Sequence, residues 1–593
     1  MKARNEIDPK FQWDFTDMFK DQAAWEAAYG DAEKEIETLS SLKGTLGESA
    51  RSLKKGLDTY FAAARKFDLV YNYASLHKSS DNGDDRNQVM ESRAVSLYVK
   101  FSTVSSFMEP EIVAIPGEKL AEYMKDKDLA LYSHFLEDID RGRAHTLDEG
   151  RERMLAMLGD AAQTPSNAFS MFESVDMTFP DVHDEEGNAS PLTHGTFGVY
   201  RESKKQAVRE EAFKTYFGEF ERYKNTLAAL YAGSVKMDNF SAAAKGFGSA
   251  CEAALFRGNV PMSVYDSLVE AVHDSLPSMR KYIEMRKKRL GLEELHLYDL
   301  YNPIMESVEI KVDLEEAKRL VKEATNPLGE GYARLIDEAF ANRWMDVYEN
   351  KGKTTGAFSC GVYDAHPYVL LNFTDTLDDA FTMAHELGHA MHSYLSSKAQ
   401  EYCNSDYMIM VAEVASTVNE VLLTKYLLSV ETDPHRRAYI LNHFLEGFRT
   451  TVYRQTLFAE FERKAHEMDQ AGVPLTAQSL SQVYHELNSL YYEGCVIDDF
   501  TDIEWARIPH FYNAYYVYQY ATGFSSAVAI AQDILSTGDP SRYLKFLSTG
   551  GSDYPLEELK IAGVDLTRPE SVRGSLKAFD EAIDELAELL KTL

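Results

Sequence analysis

Only four cysteines occur in 593 residues, Cys251, Cys360, Cys403 and Cys495, and no two are spaced as CxxC. That excludes a disulfide framework and fits a reducing compartment. No run of about 18 apolar residues occurs, so no membrane-spanning helix is expected. The opening stretch MKARNEIDPKFQWDF lacks the apolar core of a signal peptide, and the expected location is the cytoplasm. Basic residues are also short, 62 against 95 acidic, for a net charge of −33. Such a balance provides no basic face for nucleic acid or anionic lipid, so neither is expected as a partner. No Pro/Gly/Ser-rich linker, low-complexity tract or solenoid repeat divides the chain.

What is present is helical pattern. AAWEAAYGDAEKEIETLSSL, LDEGRERMLAMLGDAAQ and SVYDSLVEAVHDSLPSMRKYIEMRKKRL repeat apolar residues at three- and four-residue spacing. Extended signals are few. VDMTFPDVHDEEGNASPLTHGTFGVY reads as two short strands about a polar turn. HPYVLLNF, residues 366 to 373, reads as a strand that Pro367 confines to an edge or a strand start. A boundary near 190 divides an N-terminal helical region, 1–190, ending in that hairpin, from a longer, largely helical region, 191–593, which carries every chemical motif.

The chemistry gathers in FTMAHELGHAMHSY, residues 381 to 394. Thr376 and Asp379 form a capping box, and a helix is expected over 377–396. His385 and His389 then share one face a turn apart, close enough to bind one metal ion. Glu386 lies beside the first imidazole, where it can take a proton from water: the HExxH arrangement of zinc hydrolases. His392 lies about 10.5 Å along the axis from His385, too far for the same ion. It is assigned packing or support.

A third ligand is expected, because catalytic zinc usually keeps three protein donors and one open position. Glu413 is the candidate. Its neighbours Met410, Val411, Ala412, Val414 and Ala415 are apolar, and a carboxylate buried there needs a partner. Glu420, two turns further on the same face, could orient a ligand.

With these residues the chain resembles the M3 family of zinc metallopeptidases, and within it the oligoendopeptidase F group. The likeness runs from roughly residue 190 to beyond 530. It includes KGFGSACEAALFRGNVP, MRKKRLGLEELHLYDLYNP, the stretch around HELGH, and IPHFYNAYYVYQYATG. The resemblance implies one Zn2+ held by His385, His389 and Glu413, with Glu386 as general base. It also implies a mainly α, ellipsoidal zincin-type body with a deep central channel and a small β-sheet beside the HExxH helix. His510 and Tyr518 receive a transition-state role by resemblance, chosen from a run that also holds tyrosines 512, 515, 516 and 520.

The expected activity is therefore hydrolysis of internal bonds in short, unstructured peptides. The stretch GAFSCGVY, 356 to 363, precedes the 366–373 strand and could offer an edge to an extended peptide. A carboxypeptidase or dipeptidyl carboxypeptidase on the same scaffold is the nearer alternative. A helical peptide-binding protein with structural zinc is the further one, disfavoured because structural zinc normally has four protein ligands.

Overall fold

Helices dominate because the apolar residues recur at helical spacing almost throughout the chain. A computed structural model describes residues 2–305 and 310–593. Among the described residues the five strands are short: β1 (Val182–His183), β2 (Ala189–Ser190), β3 (Met345–Asp346), β4 (Phe358–Cys360) and β5 (Tyr368–Leu370). β1 and β2 form an antiparallel hairpin with Val182 opposite Ser190. β5 is the centre of the other sheet, parallel to β3 and antiparallel to β4. Pro367 directly precedes β5, so its missing N–H falls outside the ladder.

The chain forms two compact units, each assembled from separate stretches. The first comprises Met1–Ala144, Ile310–Leu427 and Ile530–Val564. Helices Gln22–Ser40, Ala50–Ser80 and Asp85–Ser105 pack there through Trp25, Leu53, Val70 and Leu97, and the same core continues into Tyr368 and Leu370 of the sheet. The N-terminal segment closes on the sheet as well, since Trp13 Nε1–H donates to Val369 O at 2.9 Å. Asp346 of β3 is fully buried between Arg4 and Lys353, a charge made tolerable by two cationic partners.

The second unit comprises His145–Glu309, Leu428–Ala529 and Asp565–Leu593. Helices Met262–Asp274 and Pro434–Gly447 pack on Pro569–Leu590, and Phe461, Tyr484 and Trp505 form an aromatic core between other helices. A π-helical turn, Phe448–Tyr453, interrupts the otherwise continuous helical stretch 434–470. Among the described residues no helix is long and apolar enough to cross a membrane.

Candidate metal centre

The histidine helix runs Leu377–Ala399, close to its expected bounds. Its start is fixed as the sequence implies: Thr376 caps Asp379 N–H at 3.2 Å, and the Asp379 carboxylate accepts the Thr376 N–H at 3.0 Å. β4 and β5 pack against this helix, so the small sheet lies beside it. A return helix, Ile409–Val430, crosses it.

Gly388 sets how closely the two helices cross. A Cβ there would meet Ala415 O and Ser416 Cα at 2.6 Å each, so only glycine permits the contact. The crossing is tied by buried Asn419, whose Nδ2–H donates to Ala384 O and whose Oδ1 accepts from Tyr332, both at 3.0 Å. Nothing in the local sequence marks Gly388 for this part. Its role depends on a neighbour almost thirty positions away.

That crossing brings Glu413 to the two histidines. His389 Nε2 lies 3.2 Å from His385 Nε2, and Glu413 Oε2 lies 3.5 Å from His385 Nε2 and 3.7 Å from His389 Nε2. A tetrahedral ion with bonds of 2.0–2.1 Å separates its ligands by roughly 3.3 Å, so this donor set fits zinc. Among the described residues these three form the one group of three or more His, Cys, Asp or Glu side chains with metal-ligand spacing. Glu413 departs from its sequence expectation in one respect. Its neighbours Met410, Val411, Val414 and Ala415 are buried, but its own side chain is 32% exposed. The carboxylate lines an accessible face instead of being sunk in the core.

Both histidines are held from behind. His385 Nδ1 bonds Glu420 Oε1, and His389 bonds the Ala412 backbone. Burial would lower the His385 pKa, but Glu420, Glu386 and Glu413 together raise it to about 9. His389 goes the other way, to about 3, through burial and the neighbouring His385 charge. Glu386 is 7% exposed, and burial lifts it to about 7, reinforced by Glu413 and Glu420. A carboxyl poised near neutrality suits proton transfer in both directions.

His392 is a packing residue. It is 1% exposed, stacks on Tyr407 at 3.7 Å between centroids, and neither ring nitrogen has a hydrogen-bond partner. The four cysteines are free thiols, and none joins the histidine group.

His510 and Tyr518 belong to the second unit, the metal group to the first. His510 lies exposed on a turn, Pro509–Tyr512, and its ring neighbours are Tyr516 at 6.3 Å and Tyr520 at 6.0 Å. Tyr518, 4% exposed, packs instead on Tyr265. The phase of these tyrosines is broken by Tyr515, which sits at φ +59°, before a helix begins at Tyr518.

Comparison with known proteins finds relatives along the whole chain. The model of peptidase family M3 matches residues 199–578, and that of the Oligopeptidase F N-terminal family matches 111–179. Oligopeptidase PepF of Bacillus subtilis is 44% identical over 591 residues, 99% of this chain and 88% of that protein. An oligoendopeptidase F homolog of Lactococcus lactis is 39% identical over 595 residues, 100% of this chain and 99% of that one. Among solved structures, oligoendopeptidase-F from Enterococcus faecium superposes with a TM-score of 0.74 at 36% identity, covering 96% of this chain and 100% of that one. A crystal structure from Chlamydophila abortus gives 0.93 at 35% identity, covering 99% and 100%.

Proposed function

Because the chain belongs to peptidase family M3 and is a metalloendopeptidase that cleaves oligopeptides, we propose that His385, His389 and Glu413 hold one zinc ion and that Glu386 moves the protons of hydrolysis. One observation carries this reading: three donor atoms within 3.7 Å of one another, on a helix pair whose crossing puts Glu386 beside them. Bound there by two imidazoles and one carboxylate, zinc would remain net positive and supply Lewis acidity to water and to a peptide carbonyl.

The chain's own groups do the rest. Glu386 takes a proton from the attacking water and returns it to the leaving amine. Glu420 holds His385 so that its Nε2 faces the other donors. His510 assists the developing oxyanion, with a phenol as its companion donor. Tyr516 and Tyr520 are favoured over Tyr518 for that part, since both neighbour His510 while Tyr518 is spent in packing. β4, one of the two outer strands of its sheet, offers backbone groups to an extended substrate. The substrates would be short, unstructured cytoplasmic peptides. The net charge of −33 and sparse cysteine support that setting and argue against nucleic acid as a partner.

Mass spectrometry of a mixed peptide library tests the reading, run with E386Q and with o-phenanthroline. Internal cuts lost in both, with zinc content unchanged in E386Q, are the expected result. Wild-type rates in zinc-loaded E386Q would overturn the role of Glu386. Removal of C-terminal residues alone would replace the endopeptidase by a carboxypeptidase.

A further inference from the structure

The second unit contains a small, partly enclosed cavity of about 30 Å³ between the π-helical turn Phe448–Tyr453 and the segments carrying Tyr301 and Thr501. π-helical turns concentrate at functional positions, and this one carries Arg449. Arg449 lines the cavity together with Arg201 and Arg454, and Glu504 is the one carboxylate that does so.

The charges around it do not balance. Glu504 is shared by Arg454 at 2.6 Å and Arg507 at 3.5 Å, and Glu446 by Arg449 and, at 3.4 Å, Arg286. Arg201 has no hydrogen bond or ion pair among the described residues; it lies over the Tyr301 ring at 3.8 Å, and Arg449 lies over the same ring at 4.5 Å. Five guanidinium groups thus meet two carboxylates, in a protein whose overall charge is strongly negative. Cationic charge buried in excess is costly unless an anion accompanies it.

Arg201 Nε, Tyr492 Oη and Thr501 Oγ1 are all buried without a partner; the first only donates, and each hydroxyl can donate as well as accept. Tyr492 and Thr501 are each 2% exposed and face the cavity. Burial pushes the Tyr492 phenol up to about 12 against the pull of Arg454 and Arg449, so it keeps its proton to donate. Buried donors normally find acceptors. A water needs roughly 10–15 Å³ of such volume, so the space suits one particle a little larger than water and excludes a phosphate ester or a carboxylic metabolite.

We propose that this cavity is a binding site for a monatomic anion, chloride or another halide, held by Arg201, Arg449 and Arg454 with the Tyr492 and Thr501 hydroxyls. The anion locks the π-helical turn to the Tyr301 segment and stabilises the second unit. The site is independent of the metal centre and of the peptidase reading.

Crystals of the full chain grown or soaked in sodium bromide test it directly: anomalous scattering is expected inside the cavity. In solution the melting temperature should rise saturably, by a few degrees, in sodium chloride or bromide compared with sodium gluconate at equal ionic strength. R201M and, should that variant fold poorly, T501V should lose the halide-specific rise while melting cooperatively in gluconate. Density showing only water, or melting that follows ionic strength regardless of the anion, would overturn the proposal. A third outcome has equal force. Although burial raises the Tyr301 phenol, Arg454, Arg201 and Arg449 pull it down to about 7, so the ring could itself supply the negative charge. A phenolate absorbance titrating there, unmoved by chloride, would show that Tyr301 fills the role and no halide is needed.

Discussion

The candidate metal centre and the arginine cavity are polar centres of opposite sign built from similar materials. At the first, three carboxylates, Glu386, Glu413 and Glu420, surround two imidazoles, and the unshared lone pairs converge. At the second, guanidinium groups outnumber carboxylates and the unshared atoms can all donate. The surplus, not the residue type, decides what each can bind. His385 and His392 make the same point on a single helix. One faces Glu413 and Glu420 and is a ligand candidate; the other faces Tyr407 and Phe546 and is core.

The contrast can be broken from the acidic side first. Glu386→Gln should lower kcat by about 10²–10⁴-fold while zinc content stays at the wild-type level, measured by turnover and by atomic absorption. Glu420→Gln should weaken metal affinity by about 10–100-fold with the fold intact, read by competition against a chelator. An unchanged affinity would mean that His385 needs no carboxylate behind it. Gly388→Ala should cost about 1–3 kcal/mol or more in urea unfolding and displace Glu413, because the added methyl meets backbone rather than a movable side chain.

The cationic side responds to acid. Burial would raise the Glu504 pKa, but Arg454 and Arg507 overcome it and hold the group at about 2. A carboxyl depressed in the folded state stabilises the protein above its unfolded pKa of 4.5 and loses that contribution as pH falls from 4.5 toward 2. Urea unfolding across that window should therefore show a shallower acid loss in Glu504→Gln, which starts from lower stability at pH 7. Parallel curves for the two proteins would show that Glu504 does not drive the transition. His392→Phe should change least: stability within about 1.5 kcal/mol and wild-type zinc affinity, since the ring makes only apolar contacts.

Much of the first centre was legible because its information is local. HExxH needs five consecutive residues, its cap four, and the Glu413 helix its own apolar run. The small sheet was legible in part, as Pro367 pointed to a strand start and β5 begins directly after it. The partner of Gly388 was not, because a close helix crossing is specified by the residues opposite. The tyrosines escaped for a different reason. A left-handed backbone at Tyr515 breaks the phase, so spacing alone cannot tell which rings share a face with His510. The arginine cavity left no sequence signal, since Arg201, Tyr301, Arg449 and Thr501 are scattered over three hundred positions and share no period.

The two histidines of the candidate metal centre are braced by unlike means, one by the side chain of Glu420 and the other by the backbone of Ala412. Only the first brace is written in a codon that can be exchanged without redrawing the chain. Directed evolution of the proposed metal site would thus find one such dial at position 420, behind His385. The second brace would pass through any such selection unaltered, as an inheritance of the fold.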